Sequence, residues 1–251
     1  MNELKLFEKL NCRLTLIIAT TIFGCLSINN AIAHDHASVL FQPPSENQQP
    51  EETEGAASRH LGECAANSLS SQSAVGDRSN LTAIVPENNH GLTTAQRPNF
   101  WVYFPETLTK RAILSIKEKG KNPHWQQQVD LSGEAGITKI ELLDNAPALE
   151  NNKQYQWAVI LVCGDRPSPN DPVVTAWIER VESTSDIDST QGLEKASAYA
   201  QQGIWYDALN VLIDERSTMA DWNNHWSKYL QSGGLNHVAN EPIISDFSLV
   251  K

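Results

Sequence analysis

Eleven consecutive positions, Glu87 to Arg97, gather a carboxylate, two side-chain amides, an imidazole, two hydroxyls and a guanidinium. The residues are Glu87, Asn88, Asn89, His90, Thr93, Thr94 and Arg97. At one end of a β-rich domain, where loops cluster, such a set could hold a polar ligand. The same residues also read as turn chemistry. Asn-Asn-His-Gly supplies left-handed conformations, Thr93 or Thr94 can bond the backbone, and Arg97 can pair with Glu87 or Glu179. Isolated polar loops are more often structural than catalytic, so the turn reading comes first.

Two other groups have chemistry of their own. Cleavage after Ala33 would leave His34-Asp35-His36 at the new amino terminus. A free amine, two deprotonated amides and the His36 imidazole then form a square-planar set suited to Cu(II) or Ni(II); the plain alternative is an irregular start with two incidental histidines, His34 and His36. The seven tryptophans are the third group. Trp157 is expected in the core. Of the tryptophans, Trp222 and Trp226, one helical turn apart beside His225, are the pair best placed to face a partner, although packing of their helix on the sandwich is the leading reading. No G-x-S-x-G, H-E-x-x-H, Walker loop or dinucleotide fingerprint is present, so no catalytic residue and no cofactor are assigned. A hydrolase with paired carboxylates stays open, because such pairs meet only in space.

The elements that would position these residues change character along the chain. Lys5, Lys9 and Arg13 precede an uncharged apolar run from Leu14 to Ile28, and Ala31-Ile32-Ala33 follows with small residues where a signal peptidase reads. Residues 1–33 are therefore read as a secretory signal. An uncleaved anchor and a lipoprotein attached at Cys25 are the alternatives. The run is short for a membrane span and no second one follows, so no stable transmembrane anchor is expected. Residues 34–79 are rich in Gln, Glu, Pro and Ser and read as a disordered tether. Residues 80–183 carry about seven short strands: 81–85, 99–104, 111–118, 124–131, 137–143, 154–163 and 173–182. β-branched and aromatic residues alternate there between turn signals, the pattern of an antiparallel β-sandwich. After Ser183 the apolar period becomes helical. Leu193, Ala196, Tyr199 and Ala200 stripe one helix, Gly203 breaks it, and Trp205, Ala208, Leu209, Leu212 and Ile213 stripe the next. A third, which Asp221 would cap, ends at Gly233-Gly234. Residues 184–240 thus read as a helical subdomain packed on the sandwich, containing a hairpin that resembles a single tetratricopeptide-type unit. Residues 241–251 are expected to fray.

Charge and cysteines limit the setting. The 251-residue chain carries a formal net charge of −11, which disfavours nucleic acid and anionic membranes as partners. Removal of the signal leaves Cys64 and Cys163, 99 positions apart. In an oxidising compartment such a pair forms a disulfide; two unpaired buried thiols are the alternative.

One block of residues is distinctive: Leu81-Thr82-Ala83-Ile84-Val85-Pro86-Glu87-Asn88-Asn89-His90-Gly91, continuing to Trp101. Together with Leu161-Val162-Cys163, Trp177-Ile178-Glu179-Arg180-Val181 and Gly203-Ile204-Trp205-Tyr206-Asp207-Ala208-Leu209, it resembles the cyanobacterial family catalogued as domain of unknown function 928. The resemblance covers about Cys64 to Val238 and keeps its order. It implies an exported cyanobacterial protein and supplies no catalytic residue. The expectation is a periplasmic or secreted, non-enzymatic module that binds an unknown envelope or secreted protein. A small envelope hydrolase or a carbohydrate-binding module is the alternative.

Overall fold

The computed structural model describes residues 38–44, 64, 80–122 and 124–244. The stretch read as a secretory signal, His34 and His36 lie outside the described residues, as does most of the stretch read as a tether. Among the described residues the chain is mainly β with some helices: nine strands in two sheets and four α-helices. The strands are β1 Thr82–Ala83, β2 His90–Thr93, β3 Phe100–Phe104, β4 Arg111–Glu118, β5 His124–Asp130, β6 Gly136–Ile140, β7 Lys153–Leu161, β8 Val173–Arg180 and β9 Ile243–Ile244. The helices are α1 Ser185–Asp188, α2 Gly192–Gln201, α3 Trp205–Asp214 and α4 Trp222–Ser232.

One sheet runs β1-β3-β6-β9 and the other β2-β8-β7-β4-β5. Each contains one parallel pair, β6 with β9 and β2 with β8, so both are mixed rather than antiparallel. Both parallel pairs involve strands that the sequence reading did not include. From sequence alone His90–Thr93 reads as loop, because Asn-Asn-His-Gly resembles a turn. The turn is in fact one step earlier: Asn89 N donates to Pro86 O at 2.7 Å, with Asn89 at φ 60°. The chain then enters β2, where all four residues are buried. The second addition falls where the sequence was expected to fray: Ile243 and Ile244 pair with Ile137 and Thr138.

Alternation sets the faces of the long strands. Ala112, Leu114 and Ile116 of β4 point into the core, as do Tyr155, Trp157, Val159 and Leu161 of β7. Gln127 on β5 is the inward exception. Its amide donates to Glu141 O at 2.8 Å and accepts from Leu143 N at 3.1 Å, tying the edge of the second sheet to the chain beyond β6. Phe100 of the first sheet lies 5.0 Å, ring to ring, from Trp157 of the second, and one core cluster includes both. On β3 all five residues are buried, so Trp101 and Tyr103 are covered as fully as Phe100, Val102 and Phe104. Asn210 of α3 accepts from the Trp101 indole at 3.0 Å.

The helices are keyed into the same core by aromatic residues with polar tips. Trp157 Nε1 donates to the Tyr206 hydroxyl at 2.7 Å, Trp205 Nε1 to Ile84 O at 2.9 Å, and the Tyr229 hydroxyl to Trp205 O at 3.0 Å. Such residues bury a large apolar body while their donors stay satisfied. Gly91 permits the approach: a Cβ there would stand 2.9 Å from the Tyr206 ring and 3.0 Å from Trp205 Cβ. Gly203, at φ 74°, turns the chain between α2 and α3. Residues 38–44 are docked rather than free. Val39 and Phe41 are buried, Phe41 meets Trp205 edge-on at 4.9 Å, and Gln42 N donates to Ala200 O. Cys64 is joined to Cys163 with their Cα atoms 4.9 Å apart.

Candidate functional site

The loop residues named from sequence do not converge; the fold distributes them among three tasks. Thr93 and Thr94 form the first group. The Thr93 hydroxyl donates to Asp207 Oδ2 at 2.7 Å, the Thr94 hydroxyl to Asp207 Oδ1 at 2.5 Å, and the Thr94 amide to both oxygens at 3.1 and 3.3 Å. Asp207 stands in the first turn of α3, so this cluster bolts the helix to the end of β2. Burial raises the Asp207 carboxyl above its ordinary range, opposed by the three donors.

Arg97 is the second. Its guanidinium donates to Leu143 O at 3.1 Å and Ala146 O at 2.6 Å, and not to Glu87 or Glu179 as expected. The physical reason is the length of the loop after β6: its backbone carbonyls need donors, and Arg97 supplies them. Glu87 belongs to the α4 end, where its amide donates to Gly233 O at 2.8 Å.

The third group is Asn88, Asn89 and His90. Asn88 Oδ1 accepts from His90 N at 3.3 Å, whereas Asn88 Nδ2, Asn89 Nδ2 and both ring nitrogens of His90 are buried without a hydrogen-bond partner. His90 Nε2 lies 3.7 Å from Glu179 Oε2, which is an ion-pair distance rather than a hydrogen bond. Glu179 also accepts from Gln154 Nε2 at 3.0 Å, and Gln154 accepts from Lys119 Nζ at 2.9 Å. His90 first, then Gln154 and Lys119, hold the Glu179 carboxyl below its ordinary range against the opposing effect of burial. His90 is fully buried and Glu179 only 14% exposed, so a ligand has little access to this row.

Trp222 and Trp226 do not stand out towards solvent, as a partner-facing pair would. They are 6% and 3% exposed and stack on each other at 5.3 Å with an 18° interplanar angle. The cause is the helical stripe: Trp222, Trp226, Tyr229 and Leu230 share the buried side of α4. The two indoles nevertheless wall a cleft of about 320 Å³ whose other sides are Arg216, Asn223 and residues 239–243. The Arg216 guanidinium carbon lies over the Trp222 ring, 5.4 Å from its centre. Trp222 Nε1 donates to Leu212 O at 2.5 Å, whereas Trp226 Nε1 is buried with no acceptor. Arg216 and Asn223 are exposed, Glu241 is half-buried, and Asn240 Oδ1 accepts from Ser227 at 3.2 Å. Aromatic walls, a cation held on a ring face and amides at the rim form a cavity suited to binding a small group.

The family model described as Domain of Unknown Function (DUF928) matches residues 54–243. The chain belongs to this family. Its matched span takes in both sheets, all four helices and the cysteine pair, so the cleft at α4 is built wholly from DUF928 residues. A comparison with curated proteins gives no match.

Several residues that matter here were not picked out from sequence. Asp207 lies 113 and 114 positions from its threonine partners, and Arg216 and Asn240 reach the cleft from separate segments. Short-range spacing contains no signal for either arrangement. Among the described residues no group of three or more His, Cys, Asp or Glu converges on a common point, and no helix is long and apolar enough to cross a membrane.

Proposed function

We propose that this DUF928 protein is an exported, non-enzymatic binding module of the cyanobacterial envelope, and that it takes its ligand in the cleft beside α4. The cleft carries the proposal: a cavity of about 320 Å³, walled by two tryptophans and rimmed by a guanidinium and amides. That volume falls at the lower end of small-molecule sites, which run from roughly 300 to 1,000 Å³. The recessed indoles favour a small molecule, or a small projecting group of an envelope partner, over a flat protein surface. Export is supported by the signal pattern of residues 1–33 and by the Cys64–Cys163 bridge, a bond typical of oxidising compartments. The shared core of the two sheets supports reading them as layers of a sandwich. The α2–α3 pair, turned at Gly203, supports the single tetratricopeptide-type hairpin. That hairpin's inner face is spent on the sheets, which leaves the α4 side for binding.

The test uses the full chain in its native host. A photo-crosslinking residue at the exposed position Asn223 is expected to capture a non-self adduct mapping to the cleft, and Asn240→Trp should suppress it by filling the space. The same sample should begin at His34 and gain the mass of one reduced bridge on thiol treatment. A crosslinking yield no higher than that from a probe at exposed Lys121 would sink the cleft reading. A chain retaining residues 1–33, or lipidated at Cys25, would sink periplasmic release.

A further inference from the structure

We propose that the α4 cleft recognises a carboxylate carried on a small apolar group. This deepens the binding reading above and rests on it. The inference comes from which hydrogen-bonding capacity the cleft leaves unmatched. Arg216 offers a fork of N–H donors, and its one contact among the described residues is the Trp222 ring, 5.4 Å away. Trp226 lines the cleft, and its indole N–H is buried without an acceptor. Trp222 is already satisfied by Leu212 O. Asn240 uses its oxygen on Ser227, leaving its amino group to the rim. Arg216 and Trp226 thus carry donors that the described chain leaves unmatched, beside a single carboxylate, Glu241, and a ligand that brings an acceptor with negative charge complements the guanidinium.

Three features narrow the class. The guanidinium is planar and held against an indole, so its remaining edge matches a carboxylate or phosphate with two parallel hydrogen bonds. Glu241 lines the same cleft, and its charge disfavours a dianion. A single negative charge fits better than a phosphate monoester's two, and a carboxylate brings it in the planar form that a guanidinium edge pairs with. Ala239, Pro242 and Ile243 supply apolar wall for the rest of the ligand. A neutral sugar is a poorer match. Sugar rings stack on free indole faces, whereas one face of Trp222 is covered by Trp226 and Arg216 lies against the ring as well.

The source of such a carboxylate is either a free organic acid or the carboxy terminus of a peptide. The experiment titrates the full, disulfide-bonded mature chain with benzoate and N-acetylphenylalanine, each beside its uncharged amide, with tryptophan fluorescence and calorimetry as readouts. Each acid is expected to bind at least about tenfold more tightly than its amide, the discrimination of a charge-assisted bidentate contact. Arg216→Gln should remove that preference with little change in the unfolding midpoint, and Arg216→Lys should restore part of it. Equal binding of the two acids assigns the free acid; a preference for N-acetylphenylalanine assigns the peptide terminus. Amides that bind as well as acids, and are blocked by Asn240→Trp, would overturn the carboxylate while leaving the cleft as a binding site. Failure of both acids to bind at millimolar concentration, or unchanged discrimination in Arg216→Gln, would also overturn it.

Discussion

The two ends of the helical layer solve the same problem in opposite ways. Where α3 meets β2, three donors from Thr93 and Thr94 converge on one buried carboxylate, and Asp207 has its oxygens fully engaged. Where α4 meets residues 239–243, the Arg216 guanidinium and the Trp226 indole N–H are bonded to no acceptor of the described chain, and the Glu241 carboxylate lines the same cleft without a partner among the described residues. Both places combine polar groups with aromatic neighbours, and in the sequence both were possible binding places whose structural use came first. The difference lies in saturation. A polar cluster whose groups satisfy one another is a fastening, because a ligand would have to break existing bonds to enter. A cluster with surplus donors beside open volume has capacity left for one.

The comparison breaks most visibly at Asp207. Asp207→Ala leaves the Thr94 amide and two hydroxyls without their acceptor under a helix, and is expected to lower stability by about 3 kcal/mol in denaturant titration. Asp207→Asn should cost clearly less, since an amide keeps one acceptor oxygen. The carboxyl's raised folded-state pKa adds a sign. Its stabilising contribution is complete below the ordinary carboxylate value and is lost as pH rises towards the folded one, so charging this carboxyl in the folded state carries a cost. A loss of only a few tenths of a kcal/mol in Asp207→Ala would show that the cluster is not the fastening described here.

The row from His90 to Lys119 lies between the two cases, and acid sharpens its place. Glu179 is held below its ordinary range, so its contribution is present above the ordinary carboxylate pKa and disappears as pH falls through the folded value. Glu179→Gln is therefore expected to cost about 1 kcal/mol at neutral pH and almost nothing near pH 3. A difference that stays constant over that range would mean that shape, rather than charge, makes the contact.

How much of this was legible in the sequence depends on the range of the interaction. Local and periodic signals carried well. The inward face of β7, the stripes of α2 and α3, the break at Gly203 and the end of α4 at Gly233 follow from alternation, helical period and glycine chemistry. So does the pairing of Cys64 with Cys163, once export is assumed. What failed was set by partners far along the chain. β2 reads as a loop until β8 lies beside it, and Ile243–Ile244 is too short to register until β6 offers an edge. Arg97 had carboxylates at plausible sequence positions, yet the loop after β6 presented bare carbonyls closer by. The buried tryptophans of α4 show the same limit. Their spacing showed that they share a face and favoured packing it inwards, but gave no sign of the cleft that their burial leaves.

The smallest expected effect belongs to Arg216 and is the most informative about the comparison. Its guanidinium is exposed, rests on Trp222 and pairs with no carboxylate among the described residues. A cation–π contact at an exposed site is worth roughly 0.5–1 kcal/mol, and the glutamine side chain keeps part of the packing on the ring. Arg216→Gln is therefore expected to shift stability by no more than about 0.5 kcal/mol, the usual range for surface positions. Asp207 and Arg216 are both charged residues beside aromatic rings on the same helical layer, so a sixfold difference in their stability effects would separate fastening from binding on one protein. If Arg216→Gln instead costs as much as Asp207→Ala, the guanidinium is holding the α4 end together. The distinction between a saturated end and an open one then fails at its open side.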